Sequence, residues 1–191
     1  MTAVSTGGTA PRPRSHTRSR LRARIVLAGL AACGLAALAW ASFVHPLPRL
    51  VYNPSDSVPV GWYRVTPPEA LRVGAIVLTK LPPETAALAA QRRYLPARVP
   101  LLKRVGAIAP QHVCVVDALV WIDGVPVAAV RPADRLGRPL PRWPQCRRLR
   151  PGELFLLSVT NPASFDSRYF GPVSASAVIG VAHPVWLDKR P

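Results

Sequence analysis

The sequence predicts a mainly β domain carried behind one N-terminal transmembrane helix, and three observations carry that expectation. Residues 25–44 form a run of twenty apolar or small residues without a charge, the length that spans hydrocarbon as a helix. Beyond residue 44 the chain consists mostly of short apolar runs rich in Val and Ile, punctuated by Pro and Gly, the pattern of strands and turns. An Asp123-Gly124 pair between two such runs marks a tight hairpin.

Residues 1–24 carry Arg12, Arg14, Arg18, Arg20, Arg22 and Arg24 and no acid, with Pro, Ser, Thr and Gly among the rest. Such a segment buries no core and is expected to be a disordered basic tail. The 25–44 run is too long for the apolar core of a cleavable secretory signal, although Ala39-Trp40-Ala41 has the small-residue look of a cleavage site. Retention as an anchor is the expectation. Six arginines on one flank against Arg49 on the other fix its direction, because basic residues stay on the cytoplasmic side. The tail is then cytoplasmic, the helix lies in the inner membrane, and residues 45–191 form a periplasmic domain. This assigns much of the net charge of +16 to topology and away from nucleic acid. The remaining arginines fall in a Pro-rich stretch without interleaved aromatics for base stacking.

In chain order, strands are expected at 73–79, 101–108, 113–116, 119–122, 126–130, 154–159 and 178–182. One helix is expected at 83–94, with Pro near its start and Ala, Leu, Gln and Arg through its body. It reads as peripheral. Residues 131–152, rich in Pro and Arg, read as an exposed loop. Cys33 lies within the membrane run as a small apolar filler. In an oxidising compartment the two remaining cysteines, Cys114 and Cys146, are expected to pair as a disulfide. With no Cys-x-x-Cys and no clustered histidines, the sequence offers no metal site, and no cofactor is expected.

Three segments stand apart from this framework: Asn53 through Tyr63, which holds Ser55 and Ser57, Leu101 through Val105, and Asn161 through Gly171. A serine hydroxyl attacks only when a base takes its proton. The four histidines, His16, His45, His112 and His183, show no triad pattern. An amine can serve if burial disfavours its charged form, whereas a guanidinium cannot. The chain uses 22 Arg and three Lys. Of Lys80, Lys103 and Lys189, Lys103 alone sits among apolar strand residues, so Lys103 is the candidate base. Arg104 is expected on the opposite face of the strand.

Together the three segments resemble the type I signal peptidase family, and most closely its conjugative-transfer branch, the TraF-type pilin-processing peptidases. Ser57 through Tyr63 is similar to the nucleophile box, Leu102 through Val105 to the lysine box, and Ser164 through Gly171 to the family's S-x-D-S-R-x-x-G box. The order of membrane segment, serine, lysine and Asp/Arg box also agrees. The resemblance implies a signal-peptidase-like β-barrel or sheet domain cutting exported precursors after small residues such as Ala. Conjugative pilin precursors lead as substrates, and type IV secretion components would be its neighbours. It also implies that Ser57 is the nucleophile, with an oxyanion donor at Ser55, two positions before it. Ser164 would bond the lysine, and Asp166 and Arg168 would form a supporting ion pair. Hydrolysis and pilin cyclisation both remain open. A general signal peptidase and a non-enzymatic assembly component of a secretion channel are the alternatives.

Overall fold

The computed structural model describes residues 16–43 and 49–188, so His45 and Lys189 lie outside the described residues. The chain divides into two units, residues 1–46 and 47–191. The described part of the first is helix α1, His16–Phe43, exposed wherever its side chains are described. Its stretch Arg20–Ala41 is long and apolar enough to cross a membrane. The helix starts inside the segment expected to be disordered, so residues 16–24 are helical. Arginine is a good helix former, and adding residues to an existing helix is easy once the apolar segment has nucleated it.

The second unit is built from two antiparallel sheets. Its strands are β1 Leu50–Asn53, β2 Gly61–Thr66, β3 Ile76–Thr79, β4 Leu101–Ile108, β5 His112–Val116, β6 Leu119–Ile122, β7 Val125–Ala129, β8 Cys146–Arg148, β9 Glu153–Leu156, β10 Val173–Ser174 and β11 Val178–Leu187. Helix α2, Pro83–Gln91, joins β3 to β4, and a single turn, α3, Ser167–Phe170, lies between β9 and β10. The larger sheet has seven strands in the order β1-β2-β11-β3-β4-β9-β10, and the smaller has four in the order β7-β6-β5-β8.

Side-chain alternation explains how these strands are buried. In β2, Gly61, Tyr63 and Val65 are buried while Trp62 and Arg64 are exposed, the period of two of a sheet with one dry face. The strand β3 is buried at all four positions, as suits a central strand covered on both sides. Val77 joins Val105, Leu154, Leu156 and Val173 in one cluster, while Ile76 and Leu78 join Tyr63, Val65 and Leu102 in another. A third cluster, with Ala107, Val113, Val120, Trp143, Phe155 and Leu157, links the two sheets. Each large side chain so buried contributes about 1.5–3 kcal/mol of transfer free energy.

Several expected boundaries move for local reasons. The strand β3 starts at Ile76, after Gly74 turns the chain at φ 87°. Helix α2 stops at Gln91 because Arg93 adopts φ 59°, the left-handed conformation that ends helices. The strand β11 runs on to Leu187 by pairing with β2. The strands β1 and β2 flank the Ser57 segment, where Pro and Ser mask the pattern. Residues 131–152 are not a free exposed loop. They contain a bridge between Ala133 and Pro139, the buried Trp143, and β8, which pairs with β5.

That pairing sets Cys146 directly opposite Cys114, and the two form a disulfide across a sequence separation of 32. Closing a loop of that length in the unfolded chain stabilises the fold by about 3–4 kcal/mol in the chain-entropy account. His112, to which the sequence assigns no role, lies beside it, with Nδ1 3.6 Å from Cys114 Sγ and Nε2 3.9 Å from Cys146 Sγ.

Candidate active site

The loop between β1 and β2 carries Ser55 and Ser57, and Asn53 shapes it. This residue is buried; its Nδ2 donates to the carbonyls of Ser55, Val58 and Pro59 at 2.7, 3.0 and 3.1 Å. Its Oδ1 accepts from the Ser55 N–H at 3.2 Å and from Ser55 Oγ at 2.9 Å. One amide therefore satisfies five backbone and hydroxyl groups that would otherwise compete for other conformations. Asn53 opens the first segment singled out from sequence but has no role assigned there, although Asn before Pro is a known turn-builder whose side chain bonds the backbone two residues on. Ser57 Oγ lies 2.7 Å from Ser55 Oγ. Because the single Ser55 proton goes to Asn53, the Ser57 hydroxyl is the donor in that pair.

Two glycines keep neighbouring elements close. Gly61 has φ 142°, and a side chain there would strike the Trp186 carbonyl of β11. Gly171 has φ 81° and faces the Trp143 ring, 2.6 Å from where a Cβ would stand. The first holds the serine loop to the sheet, and the second holds the Asp/Arg box to the core.

Lys103 lies in the middle of β4 opposite Val77, on the face shared with Leu101 and Val105. It is 2% exposed. Its Nζ donates to Ser164 Oγ at 2.6 Å. Burial is the main influence on the amine and lowers its pKa from 10.5 to about 8; the nearby Asp166 charge raises it and Arg168 lowers it. The two charges oppose one another, so removal from water decides the outcome. Arg104 points the other way, donating from Nη1 to the Gly74 carbonyl at 2.8 Å, as alternation along a strand requires.

The Asp/Arg box is a closed polar knot. Asp166 and Arg168 are both fully buried and form a two-pronged pair, Nε to Oδ1 at 2.7 Å and Nη2 to Oδ2 at 2.9 Å. Arg168 also donates to the carbonyls of Ala129 and Ser158, each at 2.6 Å. Asp166 Oδ2 accepts the Ser158 N–H at 3.0 Å, and Ser167 Oγ accepts the Leu156 N–H at 2.9 Å. The knot thus ties the segment bearing Ser164 to the end of β7 and to β9. Ser164 itself is buried with its N–H on the Asn161 carbonyl at 3.1 Å.

A cleft of about 1250 Å³ brings Ser55, Ser57, Lys103 and Ser164 into one lining, while Asp166 and Arg168 sit behind it. The end of α2 also lines this cleft through Ala89 and Gln91, so the helix expected to be peripheral is a wall of the site. Ser57 and Lys103 are not bonded to each other here. The serine proton is turned to Ser55, and the amine is held by Ser164.

A family model described as signal peptidase, peptidase S26 matches residues 22–187. The chain belongs to the signal peptidase S26 family. A plasmid transfer protein TraF of Escherichia coli is 35% identical over 182 residues, 90% of this chain and 98% of that one. A conjugal transfer protein TraF of Agrobacterium tumefaciens strain 15955 is 34% identical over 149 residues, 72% of this chain and 81% of its own. A solved signal peptidase I from Enterococcus faecalis V583 overlaps 59% of this chain and 97% of its own at 20% identity, with a TM-score of 0.35.

Proposed function

We propose that this protein is a membrane-anchored serine endopeptidase of conjugation, in which Lys103 as an uncharged amine activates Ser57 to cut an exported precursor, foremost a conjugative pilin precursor. The observation that carries the reading is a lysine 2% exposed, its pKa lowered to about 8, lining the same cleft as Ser57. The peptidase family and the plasmid-transfer relatives supply the reaction class and the setting. Helix α1 supplies the anchor, with the arginine-rich N-terminal flank on the cytoplasmic side. Anchoring raises the effective concentration of substrates held in the same membrane without extra contacts.

In this mechanism Ser57 rotates from Ser55 towards Lys103 as the peptide enters; catalytic hydrogen bonds often tighten only with substrate bound. The neutral amine, one N–H fixed on Ser164, takes the Ser57 proton while Oγ forms a bond to the scissile carbonyl carbon. The carbonyl oxygen becomes an oxyanion facing the Ser57 N–H. Ser55 Oγ can add a second donor only by leaving Asn53. As the intermediate collapses, the carbon–nitrogen bond breaks and the Lys103 proton passes to the departing amine. The ester left on Ser57 is then opened by water or by an amine of the substrate, giving a linear or a cyclic product.

The test is incubation of the full-length protein, in detergent, with candidate pilin precursors carrying Ala before the expected cut. Wild type is expected to release a defined product and Ser57→Ala to release none. A linear product retains one water that a cyclic product lacks, so intact mass separates the two outcomes. Full activity in Ser57→Ala would remove Ser57 as the nucleophile, and a wild type that cuts no precursor would send the reading back to a non-enzymatic role. The same assay gives a pH expectation. A protonated Lys103 cannot accept a proton, so kcat/KM should fall about tenfold per pH unit on the acid side of about 8 and level off above it. A flat profile from pH 6 to 9 would contradict Lys103 as the base.

A further inference from the structure

The cleft has a second wall whose charge the mechanism does not use. It consists of the end of α2 and the 131–140 segment, buckled together through Asp134. That carboxylate accepts from the Tyr94 hydroxyl, from Arg138 Nε at 2.7 Å, and from the N–H groups of Leu136 and Arg138 at 2.9 Å each. Arg92 Nη1 donates to the Pro139 carbonyl at 2.7 Å, completing the buckle. Burial opposes ionisation of Asp134, but the bonds from Tyr94, Arg138 and Leu136 outweigh it and hold its carboxyl well below the usual carboxylate range. Its negative charge is present and is taken up by Arg138.

Three further arginines line the same cleft: Arg93, Arg131 and Arg135. All three are exposed, and none forms an ion pair among the described residues. The acids in that lining are Asp134 and Asp56. Arg93 adds an independent sign. It follows the cap of α2 at φ 59°, where glycine is the least strained residue and any Cβ costs free energy. The chain keeps a strained, unpaired guanidinium on the cleft wall where a glycine would end the helix more comfortably. Unmatched charges of one sign in a concave site focus the field and favour ligands of the opposite sign.

We propose that this arginine wall is a specificity element that selects acidic peptides, so that preferred substrates present an Asp or Glu side chain within a few residues of the bond that is cut. The inference rests on the peptidase reading above and names the substrate feature it leaves open.

The experiment uses full-length protein in detergent micelles and peptides blocked at both ends. One peptide has a neutral sequence around an Ala, others carry Glu at single positions two to five residues to either side, and a matched set carries Lys. At low ionic strength the best acidic peptide is expected to exceed the neutral one in kcat/KM by about tenfold, the size expected of two or three partly screened ion pairs. The gain should appear mainly in KM, with the Lys peptides below the neutral one, and should shrink as salt is raised towards 0.5 M, where screening lengths fall to about 4 Å. In the triple variant R93Q/R131Q/R135Q the acidic-to-neutral ratio falls to near one. In the charge-reversed R93E/R131E/R135E it inverts in favour of Lys, which loss of structure would not produce. Equal use of acidic and neutral peptides by wild type, or a ratio unmoved by both variants, overturns the proposal. Binding of fluorescent peptides to Ser57→Ala, read as anisotropy, gives the same ratio as Kd. A protein that binds acidic peptides selectively yet cuts nothing would therefore lose the peptidase reading while keeping this one.

Discussion

Lys103→Met and Lys103→Arg are each expected to lower kcat for precursor cleavage by at least about 10³-fold, for opposite physical reasons. Methionine fills the cavity but offers no lone pair to the Ser57 proton. Arginine keeps the positive charge, cannot give it up in a protein, and has no acceptor atom. A charged role for Lys103 would survive the second change, and a packing role would survive the first. Turnover by either variant within tenfold of wild type removes Lys103 from the mechanism.

The same position predicts a stability signature that does not depend on turnover. The amine has its ordinary value near 10.5 in the unfolded chain and about 8 in the folded one. Between those values the unfolded state binds more protons, so unfolding free energy rises with pH. Below about 8 both states hold the proton and the cost of burying the charge is present in full. It is relieved as pH climbs from about 8 to 10.5, a gain of about 3 kcal/mol for a group this completely buried. Lys103→Met has no such proton, so its stability relative to wild type should be greatest below pH 8 and should shrink across that window. Denaturation in detergent at pH 7, 8, 9 and 10 measures the difference, and parallel curves for the two proteins would show that Lys103 does not titrate as described.

Both the nucleophile segment and the lysine segment are readable in the sequence because their chemistry is local. An apolar strand around one of only three lysines predicts a desolvated amine, and β4 appears at Leu101–Ile108, the expected bounds. The two paired apolar runs at Leu119–Ile122 and Val125–Ala129 are equally legible around Asp123-Gly124. What escapes is whatever depends on contacts distant in sequence. The strand β2 takes its pairing with β11 from more than a hundred residues later, and the Pro and Ser content of the loop between β1 and β2 hides both strands. The 131–152 segment looks like solvated loop by composition, yet Trp143 and β8 gain their order from the core and from β5. Helix α2 looks peripheral because nothing in its own sequence reveals that Tyr94 and Arg92, just beyond its end, are fastened to a segment about forty residues away. Asn53 escapes for a simpler reason: a turn-forming amide and a loop-organising amide have the same letters around them.

Asp166→Asn is expected to destabilise the protein by about 3–5 kcal/mol, a large share of the roughly 5–15 kcal/mol that holds a typical domain together. The asparagine retains an oxygen acceptor but sets an NH₂ group against the donors of a guanidinium, and it leaves Arg168 as an unpaired charge without access to water. The Ala129 and Ser158 carbonyls still accept from Arg168, but neutral acceptors do not replace a counterion. Replacing both partners, D166N/R168M, removes the unpaired cation and should recover part of the loss. Activity then separates a merely structural pair from one that serves the amine. Asp166 raises the Lys103 pKa and Arg168 lowers it, so deleting the carboxylate alone should move the acid limb of the kcat/KM profile below its wild-type position near 8. Deleting both charges should leave the limb close to where it began, because two opposing influences vanish together and burial remains. The double variant also keeps the measurement available where Asp166→Asn is too unstable to assay at 25 °C, since its own limb must stay near 8 while its turnover falls with the loosened hold on Ser164. A limb that stays put in Asp166→Asn would mean that the pair holds the β7 and β9 ends together without bearing on the protonation of Lys103, and a limb that shifts strongly in the double variant would mean that the two influences do not cancel.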